Sequence, residues 1–316
     1  MKLLSKIISI VVISILVYVS FLIISDITSI SNESLIFQFE YLPIILIFIT
    51  LAFFSLIYRW HLLLKKSEIN IPNSNSILIF MAGVSLAIIP GKAGELIKSE
   101  LLKTKFDVPR AKSVSIVVVE QVYSAIGLII VSLFGMYYFD LGIYITISFS
   151  IIVISLFLFL SNEILFQKFS KIFLKIKFLN KFLGNISESQ LVIKKLLSGK
   201  FVLSSILFST LFWISICTAI YFIILAFGIN TFEYFAIWTM YASSIMLGFI
   251  SFLPLGIGVV EGSFAGFMAY EGINISVALT LIIIIRLLVE WVPISAGFIC
   301  LKISYGKKTI NQDKDD

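Results

Sequence analysis

Apolar residues along this chain come in long runs with almost no charge inside them: residues 7–24, 42–64, 113–139, 143–160, 201–227 and 277–301. A helix needs about 20 such residues to cross the roughly 30 Å hydrocarbon core of a bilayer. The alternation of period two that marks a membrane β-barrel is absent, so the runs predict helices. Two further runs, 77–89 and 234–252, end differently. The first leads into Pro90-Gly91-Lys92-Ala93-Gly94-Glu95, the second into Pro254-Leu255-Gly256-Ile257-Gly258-Val259-Val260-Glu261. Both breaks present Pro, Gly, Gly and Glu in that order. Residues 77–89 would make a helix of roughly 20 Å, too short to span. The pattern predicts two re-entrant hairpins, with Pro90, Gly91 and Gly94 at one tip and Pro254, Gly256 and Gly258 at the other. A short span or an interfacial helix is the alternative for 77–89, and a full span for 234–252.

Charge adds orientation. Lysines and arginines gather after residue 64, between 92 and 112, in 161–200 and after 301, whereas 26–40 carries only acidic residues. The basic-inside bias places both termini in the cytoplasm. The start of the chain resembles a signal peptide but shows no convincing cleavage site, so it is read as a retained first helix. With these sides assigned, 77–112 begins and ends inside, and 234–270 begins and ends outside. Glu95 and Glu120 stand 25 residues apart, as do Glu261 and Arg286. The expected fold is therefore an all-α polytopic membrane protein. It is a single transmembrane domain over 1–316, built of two inverted repeats at approximately 41–139 and 201–301, with about six full spans plus two re-entrant helical hairpins. The connection 161–200 is basic and amphipathic: Phe169, Ile172, Phe173, Ile176 and Leu183 fall on one arc between lysines. It is expected to lie on the inner leaflet against anionic lipid, and it is too apolar for a nucleic-acid surface.

Composition narrows the chemistry. With 59% hydrophobic residues, 13% charged residues and a mean hydropathy of +1.09, a water-soluble domain is excluded. His61 is the sole histidine, and Cys217 and Cys300 both lie in apolar runs. No metal set, disulfide framework, nucleotide loop or catalytic triad is present in the sequence, so no cofactor and no enzyme activity are expected. What stands out is ionisable residues in or beside apolar segments: Lys92, Glu95, Glu120, Glu261, Arg286 and Glu290. Burying an ion costs several kcal/mol unless it is paired or wetted, roughly speaking, so these are candidates for a substrate path. Lys92 and Arg286 are cations able to meet a phosphate. Blander readings stand beside this. Glu95 and Lys98 are an i, i+3 pair that could sit on the surface; Arg286 and Glu290, at i, i+4, could neutralise each other; Glu120 could reach water. Gly258, Gly262 and Gly266 recur every four residues, as in small-residue helix packing.

Taken in order, Arg59-Trp60, Pro90-Gly91-Lys92-Ala93-Gly94-Glu95, Glu120, Pro254-Leu255-Gly256-Ile257-Gly258-Val259-Val260-Glu261 and Arg286 resemble the lysylphosphatidylglycerol synthase transmembrane-region family, also called flippase-like domain proteins. The resemblance implies an all-helical domain that moves a lipid, or a lipid-linked sugar, between leaflets. The soluble aminoacyl-transfer domain of the bifunctional synthases is not expected, because the chain stops after its last span. Two positions depart from the family pattern. Lys92 stands where Arg is usual, and Gln121 follows Glu120 where Arg is frequent, which weakens the case for that helix holding a phosphate. The expected function is flippase-type translocation of a phosphate-bearing lipid, a phospholipid or a polyprenyl-phosphate-linked sugar, in the cell membrane. With no ATP motif, movement is downhill or ion-coupled. Small-solute or ion transport is one alternative. The other is a membrane scaffold that recruits a glycosyltransferase through 161–200.

Overall fold

A computed structural model describes residues 37–89, 94–162, 164–165 and 186–306. Among them there is no strand. The helices are α1 (Leu42–Lys66), α2 (Asn73–Ser85), α3 (Ile97–Phe106), α4 (Arg110–Phe134), α5 (Asp140–Ser161), α6 (Ile186–Leu196), α7 (Phe201–Ala226), α8 (Tyr234–Ser251), α9 (Val259–Tyr270), α10 (Ile275–Arg286) and α11 (Val292–Gly306). Their ends follow local chemistry. Pro43 lies in the first turn of α1, where no N–H is required, and Lys65 and Lys66 complement its C-terminal dipole. Pro72 and Pro109 immediately precede α2 and α4. The Asn274 side chain accepts from the Ser276 N–H to cap α10.

Among the described residues, six stretches are long and apolar enough to cross a membrane: Phe39–Lys66, Arg110–Phe134, Asp140–Ser161, Phe201–Ala226, Tyr234–Ser251 and Ile275–Ser304. The chain is an all-α polytopic membrane protein. The run 7–24 lies outside the described residues, as do the hairpin-tip residues Pro90 and Gly91. By length and composition Tyr234–Ser251 qualifies as a span, one of the two readings open to 234–252. Its 18 residues reach roughly 27 Å, just short of a typical core. The α5 face bearing Tyr144, Ile147, Ile151, Ile154 and Leu158 is exposed; in a bilayer such a face meets acyl chains instead of water.

Packing repeats itself across the molecule. α1 lies along α7. α2 packs on α11, and α4 packs on α8. α2 contacts α3 as α8 contacts α9, and α3 contacts α4 as α9 contacts α10. The two long-range contacts use the same device. A Cβ built at Gly135, just past the end of α4, would overlap the Phe235 carbonyl of α8; one at Gly297 of α11 would press on the Met81 carbonyl of α2. Two apolar cores result, one around Trp60, Phe80 and Tyr123, the other around Trp238, Tyr241 and Phe264.

Three details depart from expectation. The last apolar run is not one regular helix: a π turn, Leu287–Trp291, separates α10 from α11. Pro293, two residues past the turn, cannot donate to the carbonyl four residues back, within the turn, so the wider turn absorbs the missing bond. The glycine stripe is not a packing seam among the described residues, because Gly262 and Gly266 are exposed and a Cβ at either would meet nothing within 4 Å. Within 161–200, α6 does not lie apart on a surface. It packs on α4 and α5, with Ile193 and Leu196 buried and the Ser115 hydroxyl donating to the Ser189 carbonyl at 3.1 Å. The arc of Phe169 to Leu183 lies outside the described residues.

Candidate functional site

Each break delivers charged side chains to the interior. Around the first break, Lys98 on the opening turn of α3 is 1% exposed. Its Nζ donates to Glu95 Oε2 at 2.9 Å and to Glu120 Oε2 at 2.8 Å. The other Glu120 oxygen faces Arg59 of α1, at 3.3 Å from the guanidinium. Arg59 also donates to the Ser209 hydroxyl of α7 at 2.7 Å. Gln121 completes the group by donating from Nε2 to Glu95 Oε2 at 2.9 Å. The Lys98 ammonium also stands 5.1 Å from the Trp60 ring centre and 4.8 Å from that of Phe80, within cation–π range. Gly83 of α2 opens the notch for its stem: a Cβ there would overlap Lys98 Cε.

The second break is built from strained backbone. Phe252, Leu255, Gly256 and Gly258 all have positive φ, at 55°, 50°, 66° and 85°. The backbone then enters α9, whose Glu261 turns back to accept from the Gly258 N–H at 2.7 Å, satisfying a donor the helix start would otherwise leave open. The other Glu261 oxygen pairs with Arg286 Nε at 2.9 Å. Arg286 reaches Glu290 at 2.8 Å across the start of the π turn and donates to the Leu255 carbonyl at 2.8 Å. One guanidinium thus ties the break, α9 and the π turn together. Breaking such a fully buried pair by removing one partner costs about 3–5 kcal/mol.

Both clusters border one cavity of about 350 Å³. Arg59, Glu95, Lys98, Glu120 and Gln121 line it from the first cluster, and Glu290 and Leu255 from the second. The rest of its wall is mainly apolar, including Phe80, Phe212, Val260 and Ile294. Phe252 and Leu253, which also line it, are 75% and 46% exposed. The pocket therefore joins a polar interior to an apolar outer rim.

With this arrangement in view, the comparison with known families is decisive. The model of the lysylphosphatidylglycerol synthase transmembrane region matches residues 7–297. The chain belongs to that family. The match spans both breaks and every charged residue of both clusters. No curated protein matches the chain.

The structure places the residues that the sequence singled out as follows. Glu95 and Glu120 are joined through Lys98, and Glu261 and Arg286 pair directly, so each 25-residue spacing ends in a shared ion cluster. Lys92 lies outside the described residues. Gly94 is pressed against the Leu86 carbonyl, which a Cβ would overlap. Arg286 is wholly buried and sits behind Glu290 and Leu255 instead of on the cavity wall. Neither bland reading of the first cluster holds, since Lys98 and Glu120 are each 1% exposed.

Two members were underweighted by the sequence. Arg59 entered only through the family resemblance, and Lys98 only as a surface partner. A signal existed for both. Lys98 falls in helical register with the buried Leu101 and Leu102, and Arg59 continues the buried face of Ala52 and Ser55. Both register patterns place a cation on an apolar face.

Proposed function

We propose that this chain is a lipid translocator whose cavity receives the phosphate-bearing headgroup of a membrane lipid while the acyl or prenyl chains stay in the bilayer. The observation that carries this reading is one cavity, inside a bundle of membrane-spanning helices, lined by the buried ions of the first cluster and, from the second, by Glu290 and Leu255, with Glu261 and Arg286 behind them. Its volume of about 350 Å³ lies at the small end of the ~300–1,000 Å³ of ligand pockets. That suits a headgroup and leaves no room for long chains. The exposed apolar rim at Phe252 and Leu253 supports a lipid over a water-soluble solute. Ion clusters of this kind are poor stabilisers compared with apolar packing, which favours a transport role for them. The function is movement without chemical conversion, in the cell membrane, with both termini cytoplasmic and the two halves inverted about the membrane plane. The repeated packing of α2 on α11 and α4 on α8 supports that symmetry.

The test is leaflet exchange in proteoliposomes, with labelled phospholipid and labelled polyprenyl-phosphate sugar compared in parallel. Rapid exchange of one lipid, lost in Glu261→Gln while that variant, though less stable, remains folded at the assay temperature, is the expected result. Uptake of a water-soluble solute with neither lipid moving would point to solute transport. Absence of all movement, together with capture of a glycosyltransferase, would point to a scaffold.

A further inference from the structure

The first cluster contains an anion at the place where a substrate anion would bind. Lys98 Nζ and Gln121 Nε2 converge on the same atom, Glu95 Oε2, each at 2.9 Å. A phosphate oxygen accepts these two bonds as well as a carboxylate oxygen does, and charge assistance makes either interaction strong. Charge balance agrees. Among the described residues the cluster holds two cations, Arg59 and Lys98, and two carboxylates, Glu95 and Glu120. Without Glu95 the sum is +1, which a phosphodiester monoanion would return to zero.

The two carboxylates are not equivalent. Glu120 is set in the middle of α4, with one oxygen on Arg59 and the other on Lys98. Glu95 lies in the short turn of residues 94–96, beside the break and ahead of α3. Its side chain is 12% exposed, against 1% for Lys98 and 2% for Glu120, and it lines the cavity. Lys98, by contrast, is fixed from all sides by the Gly83 notch, Trp60, Phe80 and Glu120. The donors are therefore preorganised, and Glu95, the more exposed of the two carboxylates and carried on a short turn, is the acceptor better placed to move.

We infer that Glu95 is a resident stand-in for the substrate's phosphate: a headgroup phosphate displaces it from Lys98 Nζ and Gln121 Nε2, and it returns when the headgroup departs. This deepens the lipid-translocation reading and rests on it. It assigns the anion site to Lys98 and Gln121. The internal competitor lowers resting affinity, which keeps a bound headgroup from being trapped, because a competing state reduces apparent affinity in proportion to its population.

The test is calorimetric titration of the purified full chain in detergent with dihexanoylphosphatidylglycerol and, separately, with inorganic phosphate. Glu95→Ala is expected to bind the short-chain lipid about tenfold tighter than the unsubstituted chain, as removal of a competing charge-assisted bond predicts. Glu95→Gln keeps the size and loses only the charge, and should gain less. Adding Gln121→Leu or Lys98→Met to Glu95→Ala should remove most of the gain. Lipid binding no tighter in Glu95→Ala or Glu95→Gln, with folding confirmed by thermal unfolding, would overturn the inference. If leaflet exchange persists in that case, translocation stands without it. A gain for inorganic phosphate alone would keep the donor pair but overturn its assignment to a lipid headgroup. A gain for lipid in a protein that exchanges no lipid would keep the site and remove the translocation reading.

Discussion

Gly83 and Lys98 face each other across the α2–α3 contact so closely that a Cβ on the first would occupy the stem of the second. Gly83→Ala should therefore push Lys98 off Glu120 and destabilise the protein by about 1–3 kcal/mol, the usual cost of overpacking. Thermal unfolding in detergent measures this. Lys98→Met should cost less in the Gly83→Ala background than alone, since the two changes remove one interaction. Arg286→Ala should be harsher, about 3–5 kcal/mol, because Glu261 loses its buried partner. Adding Glu261→Gln should return part of that loss. At this scale the sequence was legible where a charge interrupted an apolar run, as at Glu120, Glu261 and Arg286. It was less legible where the charge sat in a helix of mixed character. α3 also carries Glu100, Lys103 and Lys105, so only the register of Lys98 with Leu101 and Leu102 marked it as inward. Gly83 carried no signal, since what it accommodates comes from another helix.

The elements are governed by the two breaks. Pro and Gly in sequence located both, and the second shows why: four of the seven residues from Phe252 to Gly258 take positive φ. The two glycines there differ. A Cβ at Gly256 meets both an unfavourable φ of +66° and the Gly248 Cα at 2.8 Å, whereas Gly258 has a φ of +85° and open space. Both Gly256→Ala and Gly258→Ala should destabilise, the first through a clash as well as its φ, the second through backbone strain alone, because φ +85° with ψ −42° lies outside the left-handed helical region. Thermal unfolding of the two variants side by side gives the comparison. The π turn was not foreseen, although Pro293 inside the last run was its visible cause. α6 was hidden for a different reason. Its lysines suggested a lipid surface, while its burial comes from the α4 residues Ser115 and Tyr123, the latter donating to the Leu196 carbonyl. Only tertiary contact reveals that.

On the scale of the whole molecule, hydropathy alone was sufficient for the class, because each run answers to bilayer thickness independently of the others. Partner choice between helices was not legible. The pairing of α2 with α11 and of α4 with α8 depends on Gly297 and Gly135, which look alike in sequence to glycines that pack against nothing. The proposed inversion makes a sidedness prediction. Asp107→Cys and Glu271→Cys, both at exposed positions, should react with a membrane-impermeant maleimide from opposite faces of sealed vesicles; labelling from one face would remove the inversion. The central claim is that lipid headgroups pass through the cavity, and filling the cavity tests it most directly. Ala87 lines the cavity just beyond the end of α2, so Ala87→Trp adds bulk without altering any charge. Leaflet exchange in proteoliposomes should be fast for the unsubstituted chain and near the protein-free rate for Ala87→Trp, with both proteins equally folded. Equal exchange rates for the two would mean that lipid does not travel by this route.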